Sequence, residues 1–246
     1  MPNRICLVII ILAATIRAQY ICDTTFSQSD TMVSCTSKVN GNIVLIANYK
    51  NGKLHGTQKS WFASGTLKSF SRYNNGDIID TSYSYHPSGK LKAIGVNNGK
   101  WFRLGEDGDT MAIGYSQNGH SVGLRKVWYK EGKLKSLIHH NDSGQKHGLS
   151  EEWRKDGTRK DSIVYDNGDI IEYREYYENG KLRRHVYQKP VNRDINAVYY
   201  DPKGNKVGEV KNGKGTYISY SEDGKSARRV YMENDEVVKI EKIDVE

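Results

Sequence analysis

The chain has 246 residues and a net charge of +8, with 37 Lys and Arg against 29 Asp and Glu. Only 37% of it is hydrophobic, and 17 of its residues are tyrosines. So lean and tyrosine-rich a content argues against the thick aliphatic core of a doubly wound sheet or a helix bundle, and the spread of aromatic and β-branched residues argues against disorder.

The first segment reads as an address. Arg4 precedes an apolar run from Ile5 to Ile16, and Ile16-Arg17-Ala18 offers a small-residue cleavage site. This is the layout of a secretory signal peptide over residues 1–18. The run falls short of the roughly 20 apolar residues of a spanning helix; a retained N-terminal anchor is the alternative. Cleavage removes Cys6 and leaves Cys22 and Cys35 in the segment 19–40. Two cysteines in an exported chain read as a disulfide that ties a short N-terminal cap, with two free thiols as the alternative. Such a loop is worth roughly 2–3 kcal/mol. Loss of Arg4 and Arg17 with the leader lowers the net charge from +8 to +6.

From residue 41 to 246 the chain repeats itself. One set of turns reads YKNG at Gly52, YNNG at Gly76, VNNG at Gly99, SQNG at Gly119, NDSG at Gly144, YDNG at Gly168 and VKNG at Gly213, with MEND at Asn234. A second set interleaves with it at Gly65, Gly89, Gly108, Gly132, Gly157, Gly180, Gly204 and Gly224. Asn-Gly and Asp-Gly supply the positive φ of tight hairpin turns, and the runs between them alternate with period two, as in Ser162-Ile163-Val164-Tyr165. The spacing predicts an all-β fold, an elongated antiparallel meander of about eight stacked hairpins and about sixteen short strands. Gln188–Asn196, which carries Pro190, breaks the repeat and reads as a bulge or insertion. The alternating tail from Val237 reads as a last strand.

Two columns run through the repeat. Four residues before each glycine of the second set stand Trp61, Tyr85, Leu104, Trp128, Trp153, Tyr176, Tyr200 and Tyr220. Three residues before glycines of the first set stand Tyr49, Tyr73, Val96, Tyr165 and Val210, with Tyr231 before Asn234. Aromatic rows of this kind pack a stacked sheet or, exposed, recognise a partner.

The unit YKNGKLHGTQKSWFASGTLK resembles a bacterial variant of the MORN repeat. The copies with the strongest likeness carry Gly52-x-x-x-Gly56 then Trp61, Gly119-x-x-x-Gly123 then Trp128, and Gly144-x-x-x-Gly148 then Trp153; Asp80 and Glu172 replace the second glycine in two others. The resemblance covers roughly residues 43–239. It implies protein–protein scaffolding and contact with acidic lipid. Proteins similar to this one are often labelled antitoxin components of toxin–antitoxin systems, a role that export would work against.

The residues give no sign of catalysis. There is no nucleophile elbow, zincin helix, Walker loop or dinucleotide fingerprint. His139, His140 and His147 fall close together and His55 shares the repeat position of His147, but the pattern reads as solvent-facing turn histidines. Glu106-Asp107-Gly108-Asp109 lacks most of a calcium loop and reads as a turn, and Glu151-Glu152 point to opposite faces of a strand. No cofactor or metal is expected. Lys53, Lys90, Lys133, Lys181 and Lys225 follow turns, joined by Arg183-Arg184 and Arg228-Arg229. This stripe either attracts acidic lipid headgroups or glycans or keeps the sheet soluble. Nucleic acid does not fit an exported chain. The sequence therefore predicts an exported, non-catalytic module, periplasmic, surface-bound or secreted, which presents a sheet face to an envelope or extracellular protein.

Overall fold

A computed structural model of the protein describes residues 4–13, 16–26, 30–188 and 195–244. They hold 22 strands and no helix. The chain divides into two units, Met1–Gly119 and His120–Glu246.

The first unit contains β1 (Arg4–Ala13), β2 (Ile16–Phe26), β3 (Thr31–Val39), β4 (Asn42–Lys50), β5 (Lys53–Trp61) and β6 (Leu67–Asn74). It continues with β7 (Asp77–Ile78), β8 (Thr81–Tyr85), β9 (Leu91–Val96), β10 (Lys100–Leu104) and β11 (Thr110–Gln117). Each strand pairs antiparallel with the next; β7 and β8 are two pieces of one strand, both paired with β6. The leader residues lie in β1 and the start of β2. Because β2 also pairs with β3 from Ala18 to Phe26, a chain beginning at Gln19 keeps that ladder. The 19–40 segment thus contributes strands to the meander, and Cys22 stands directly opposite Cys35 in the register.

The second unit contains β12 (His120–Trp128), β13 (Leu134–His140), β14 (Gly148–Trp153), β15 (Arg159–Asp166), β16 (Asp169–Tyr176) and β17 (Leu182–Gln188). Then come β18 (Ile195–Tyr200), β19 (Lys206–Lys211), β20 (Lys214–Tyr220), β21 (Ala227–Glu233) and β22 (Glu236–Ile243). It is again a meander of sequential antiparallel neighbours. The expected tail strand is β22. The expected irregularity between Gln188 and Asn196 falls mostly on residues 189–194, outside the described residues; β17 and β18 pair right up to it, at Gln188 with Ile195.

Two turn types build both meanders. In the first, two residues sit at positive φ, as at Asn51 (φ 49) and Gly52 (φ 77), which twists the hairpin in the sense the strands need. Asn75–Gly76, Asn167–Gly168 and Asn212–Gly213 repeat it. In the second type, Phe62 N–H donates to Thr66 O and Gly65 N–H to Phe62 O, both at 2.9 Å. The ladder slips by one residue at the strand end beside it, between Ser60 and Trp61. The same slip occurs at Tyr85, Leu104, Trp128, Trp153, Tyr176 and Tyr200, so the aromatic column is a row of bulge residues. Tyr220 has no slip, because its turn is one residue longer and closes from Ser221 N–H to Ser226 O. Gly144, grouped in the sequence with the two-residue turns, belongs to the second type: Asn141 N–H donates to Gln145 O and Gly144 N–H to Asn141 O.

The second glycine of each Gly-x-x-x-Gly has a conformational role: Gly56, Gly123 and Gly148 sit at φ 82, 64 and 78, and a Cβ there would meet no atom closer than 3.9 Å. Gly56 lies opposite Tyr73, Gly123 opposite His140 and Gly148 opposite Tyr165. Packing needs a glycine at Trp101 instead, which pairs with Gly95 on one side and Gly114 on the other; a Cβ on Gly114 would lie 2.6 Å from the ring. Few apolar side chains are fully buried: Ala47 and Ala112 in the first unit, and Tyr177, Ala197 and Val210 among those of the second. Rows of half-buried rings carry most of the apolar packing instead.

Candidate functional site

The eight residues of the aromatic column are all half-buried. Packing alone would bury them and pure recognition would expose them; each lies between these limits. Trp61 lies in an open groove of about 440 Å³ with Ile43 and Ile46, between the turns at Gly41 and Gly65. Tyr200 and Tyr220 line a smaller pocket of about 130 Å³ in the second unit.

The residue after four of the eight column members ties one repeat to the next. Tyr129 Oη donates to Trp153 O at 2.8 Å, Arg154 Nη2 to Tyr176 O at 2.7 Å, and Tyr177 Oη to Tyr200 O at 2.8 Å. In the first unit His86 Nε2 lies 3.1 Å from Leu104 O. Each bond joins a turn to the carbonyl of the following column residue. Sequence reading passed over this row, although listing the residue after each Trp or Tyr would have shown a run of polar and aromatic side chains.

In the second unit the row leads to an ion-pair cluster. Arg154 Nη2 meets Glu222 Oε1 at 2.6 Å. Arg183 Nη1 is 3.0 Å from both Glu175 Oε1 and Glu222 Oε2, and its Nη2 donates to Tyr220 O at 2.7 Å. Arg184 Nε is 2.6 Å from Glu175 Oε2. That N–H is nonetheless buried with no aligned acceptor, so the contact is an ion pair rather than a hydrogen bond. Arg154 follows β14 and Glu222 follows β20, six strand steps away. A flat sheet would hold those turns about 29 Å apart. Two side chains in contact across that interval mean that this edge of the sheet is rolled together.

Tyrosines wall the cluster. Tyr199 and Tyr217 stack face to face with centroids 3.6 Å apart, across Gly208, the residue paired with both. Burial raises the phenol of Tyr199 well above its usual range. Burial is also the main cause at Tyr173 and Tyr177, both raised to about 12; at Tyr173 the hydrogen bond to Asp161 adds to it. The Arg183 and Arg184 guanidiniums lie over the rings of Tyr177 and Tyr173, at 5.5 and 5.0 Å. These phenols stay protonated and donate near neutral pH.

The basic stripe is divided between engaged and exposed residues. Besides Arg183 and Arg184, Lys90 Nζ donates to Glu106 O at 2.9 Å and Lys181 Nζ to Lys203 O at 2.6 Å, fastening a neighbouring turn in each case. Lys53, Lys133, Lys225, Arg228 and Arg229 are exposed. The histidines split. His147 is exposed, 3.5 Å from Asp166, whereas His140 packs opposite Gly123 with a buried Nδ1 that lacks a partner. Burial lowers its pKa, so it is not the solvent-facing turn residue expected of it. Glu151 and Glu152 pair with different cations, Arg159 and Lys160, as opposite faces require. Asp107 accepts from Asp109 N–H within the turn. Among the described residues no three His, Cys, Asp or Glu converge as metal ligands.

Three segments, residues 54–78, 121–142 and 170–189, match the MORN repeat variant. No curated protein matches the chain. The first two segments carry the Trp61 and Trp128 copies. The third falls on the copy that starts at Gly168, not on the one at Gly144, in keeping with the different turn that Gly144 makes.

Proposed function

We propose that this MORN-like chain is an exported, non-catalytic module that offers a β-sheet surface to another protein. The observation that carries the reading is the half-buried aromatic column, of which Trp61 lines one concave site and Tyr200 and Tyr220 another, the latter together with Arg and Tyr. Half-exposed Trp, Tyr and Arg in shallow pockets are the residue types on which protein interfaces concentrate their energy. Export rests on the leader pattern of residues 1–18. The cap disulfide between Cys22 and Cys35 is part of the same proposal. Its support is their opposed register and the disulfide-bonded state of Cys35; directly opposed strand residues have Cα spacings within the range a disulfide bridges. The alternative, binding of acidic lipid or glycan, would fall to the exposed Lys53, Lys133, Lys225, Arg228 and Arg229, since Lys90 and Lys181 are tied to groups of the chain itself.

The test is affinity capture with the segment Gln19–Glu246 against solubilised envelope and culture medium, at low and moderate salt. One protein retained at both salts in fixed stoichiometry, and lost with Tyr200→Ser/Tyr220→Ser, supports the reading. Capture that vanishes at moderate salt, or that brings only lipid or glycan, refutes it in favour of the basic stripe.

A further inference from the structure

The pocket of the second unit has a shape and a charge that narrow its occupant. At about 130 Å³ it is far below the roughly 300–1,000 Å³ of a cofactor or drug-sized site, and fits one side chain. Its walls are the rings of Tyr177, Tyr199 and Tyr217, and its charged groups are Glu175, Arg183 and Arg184. The linked cluster behind it holds three guanidiniums, those of Arg154, Arg183 and Arg184, against two carboxylates, Glu175 and Glu222. Two more carboxylates act on its tyrosines but do not line it. Asp161 accepts from Tyr173 Oη at 2.8 Å, and Asp201 accepts from Asn205. Among the residues that line the pocket itself two guanidiniums face one carboxylate, so one positive charge is in excess there, and the Arg184 Nε–H is buried without an aligned acceptor. A half-buried positive charge with a spare donor and ring walls is complementary to a single carboxylate.

We propose that this pocket seats one acidic side chain, Asp or Glu, of the partner protein. The inference rests on the protein-binding reading above. Arg184 donates its Nε–H to the carboxylate of the acid, Arg183 helps to supply the excess charge, and the Tyr199–Tyr217 stack excludes water from the pair. Glu175 limits affinity, because it competes for the same guanidiniums.

The experiment is an NMR titration of the full chain with three capped peptides, Ac-Gly-Glu-Gly-NH2, its Gln counterpart and its Lys counterpart. The Arg184 Nε–Hε and Ser219 amide signals are followed. The Glu peptide should move both signals together and saturably, while the Gln and Lys peptides leave them in place. Arg183→Gln should weaken the Glu peptide by about tenfold, and Glu175→Gln should tighten it, with circular dichroism showing the fold retained. A purely structural cluster would not give opposite signs from the two variants. Equal response to the Glu and Gln peptides, preference for Lys, no response, or the same sign from both variants overturns the proposal. Should either variant fail to fold, the comparison of the three peptides on the unaltered chain still decides. A captured protein partner that binds Arg183→Gln as well as the unaltered chain would sink this inference and leave the interaction reading in place.

Discussion

Glu222 is the acceptor that holds the rolled edge of the second unit, and Glu222→Gln is the sharpest perturbation of it. The carboxylate receives Arg154 at 2.6 Å and Arg183 at 3.0 Å, with Arg154 19%, Arg183 24% and Glu222 39% exposed. A charge-assisted hydrogen bond contributes about 1.5–3 kcal/mol when shielded, and far less when open to water. Partial exposure places the pair of contacts near the lower end, so Glu222→Gln should cost about 2 kcal/mol. At the usual unfolding entropy per residue, that lowers the midpoint of a unit this size by roughly 7 °C. Arg154→Met should cost more, because Arg154 also donates to the carbonyls of Arg159, Tyr176 and Tyr177. Urea unfolding followed by the fluorescence of the four tryptophans, Trp153 beside Arg154 among them, gives the two single costs and that of the double variant. The coupling energy of the cycle should exceed about 1 kcal/mol and persist at raised salt, because a half-buried pair is weakly screened. A coupling within the usual additivity error of about 0.3 kcal/mol would refute the view that this contact holds the edge closed.

Other outcomes follow from the same structure. Spin labels at Lys155 and Lys225, in turns that a flat sheet would keep about 29 Å apart, should report a much shorter distance, and the flat-sheet value would show that the edge is open. His140 is held below its ordinary 6.5 by burial, so the unfolded chain binds the extra proton; stability should be full above pH 6.5 and fall as pH drops through it, and His140→Gln should flatten that slope in urea titrations at several pH values. Tyr173 and Tyr177 have the opposite sign: raised from 10 to about 12, they add stability below pH 10 that is lost as pH rises toward 12, and Tyr177→Phe should reduce this alkaline loss. Gly114→Ala would set a methyl 2.6 Å from Trp101 Cζ2 and should cost about 1–3 kcal/mol; an unchanged melting point would mean the ring moves aside freely.

The turn chemistry was legible in the chain. Most Asn-Gly pairs close a two-residue turn with positive φ, Asn179-Gly180 in a turn of the second type being an exception, and the sixteen strands expected from the two turn sets correspond to β5–β21 with β7 and β8 taken as one. The extra strands are β1–β3 in the leader and the 19–40 segment, β4 and the tail strand β22; β3 and β4 are joined by Asn40-Gly41, a positive-φ pair that the two turn sets left out. Gly144 shows the limit of reading by motif. Its Gly-x-x-x-Gly matches the other copies, but Asn141 closes a longer loop, because local hydrogen bonds select the turn and spacing alone does not.

The sequence by itself determined period, strand type and the aromatic column, since all three depend on neighbours within a few residues. It left open whether that column is buried, because burial depends on how far the sheet curls. Only the tertiary structure brought Arg154 to Glu222, residues 68 apart in the chain, and gathered Glu175, Arg183 and Arg184 beside them. Twist and bulge accumulate over six strands to close that edge, and such a sum of small rotations is not written in any one repeat.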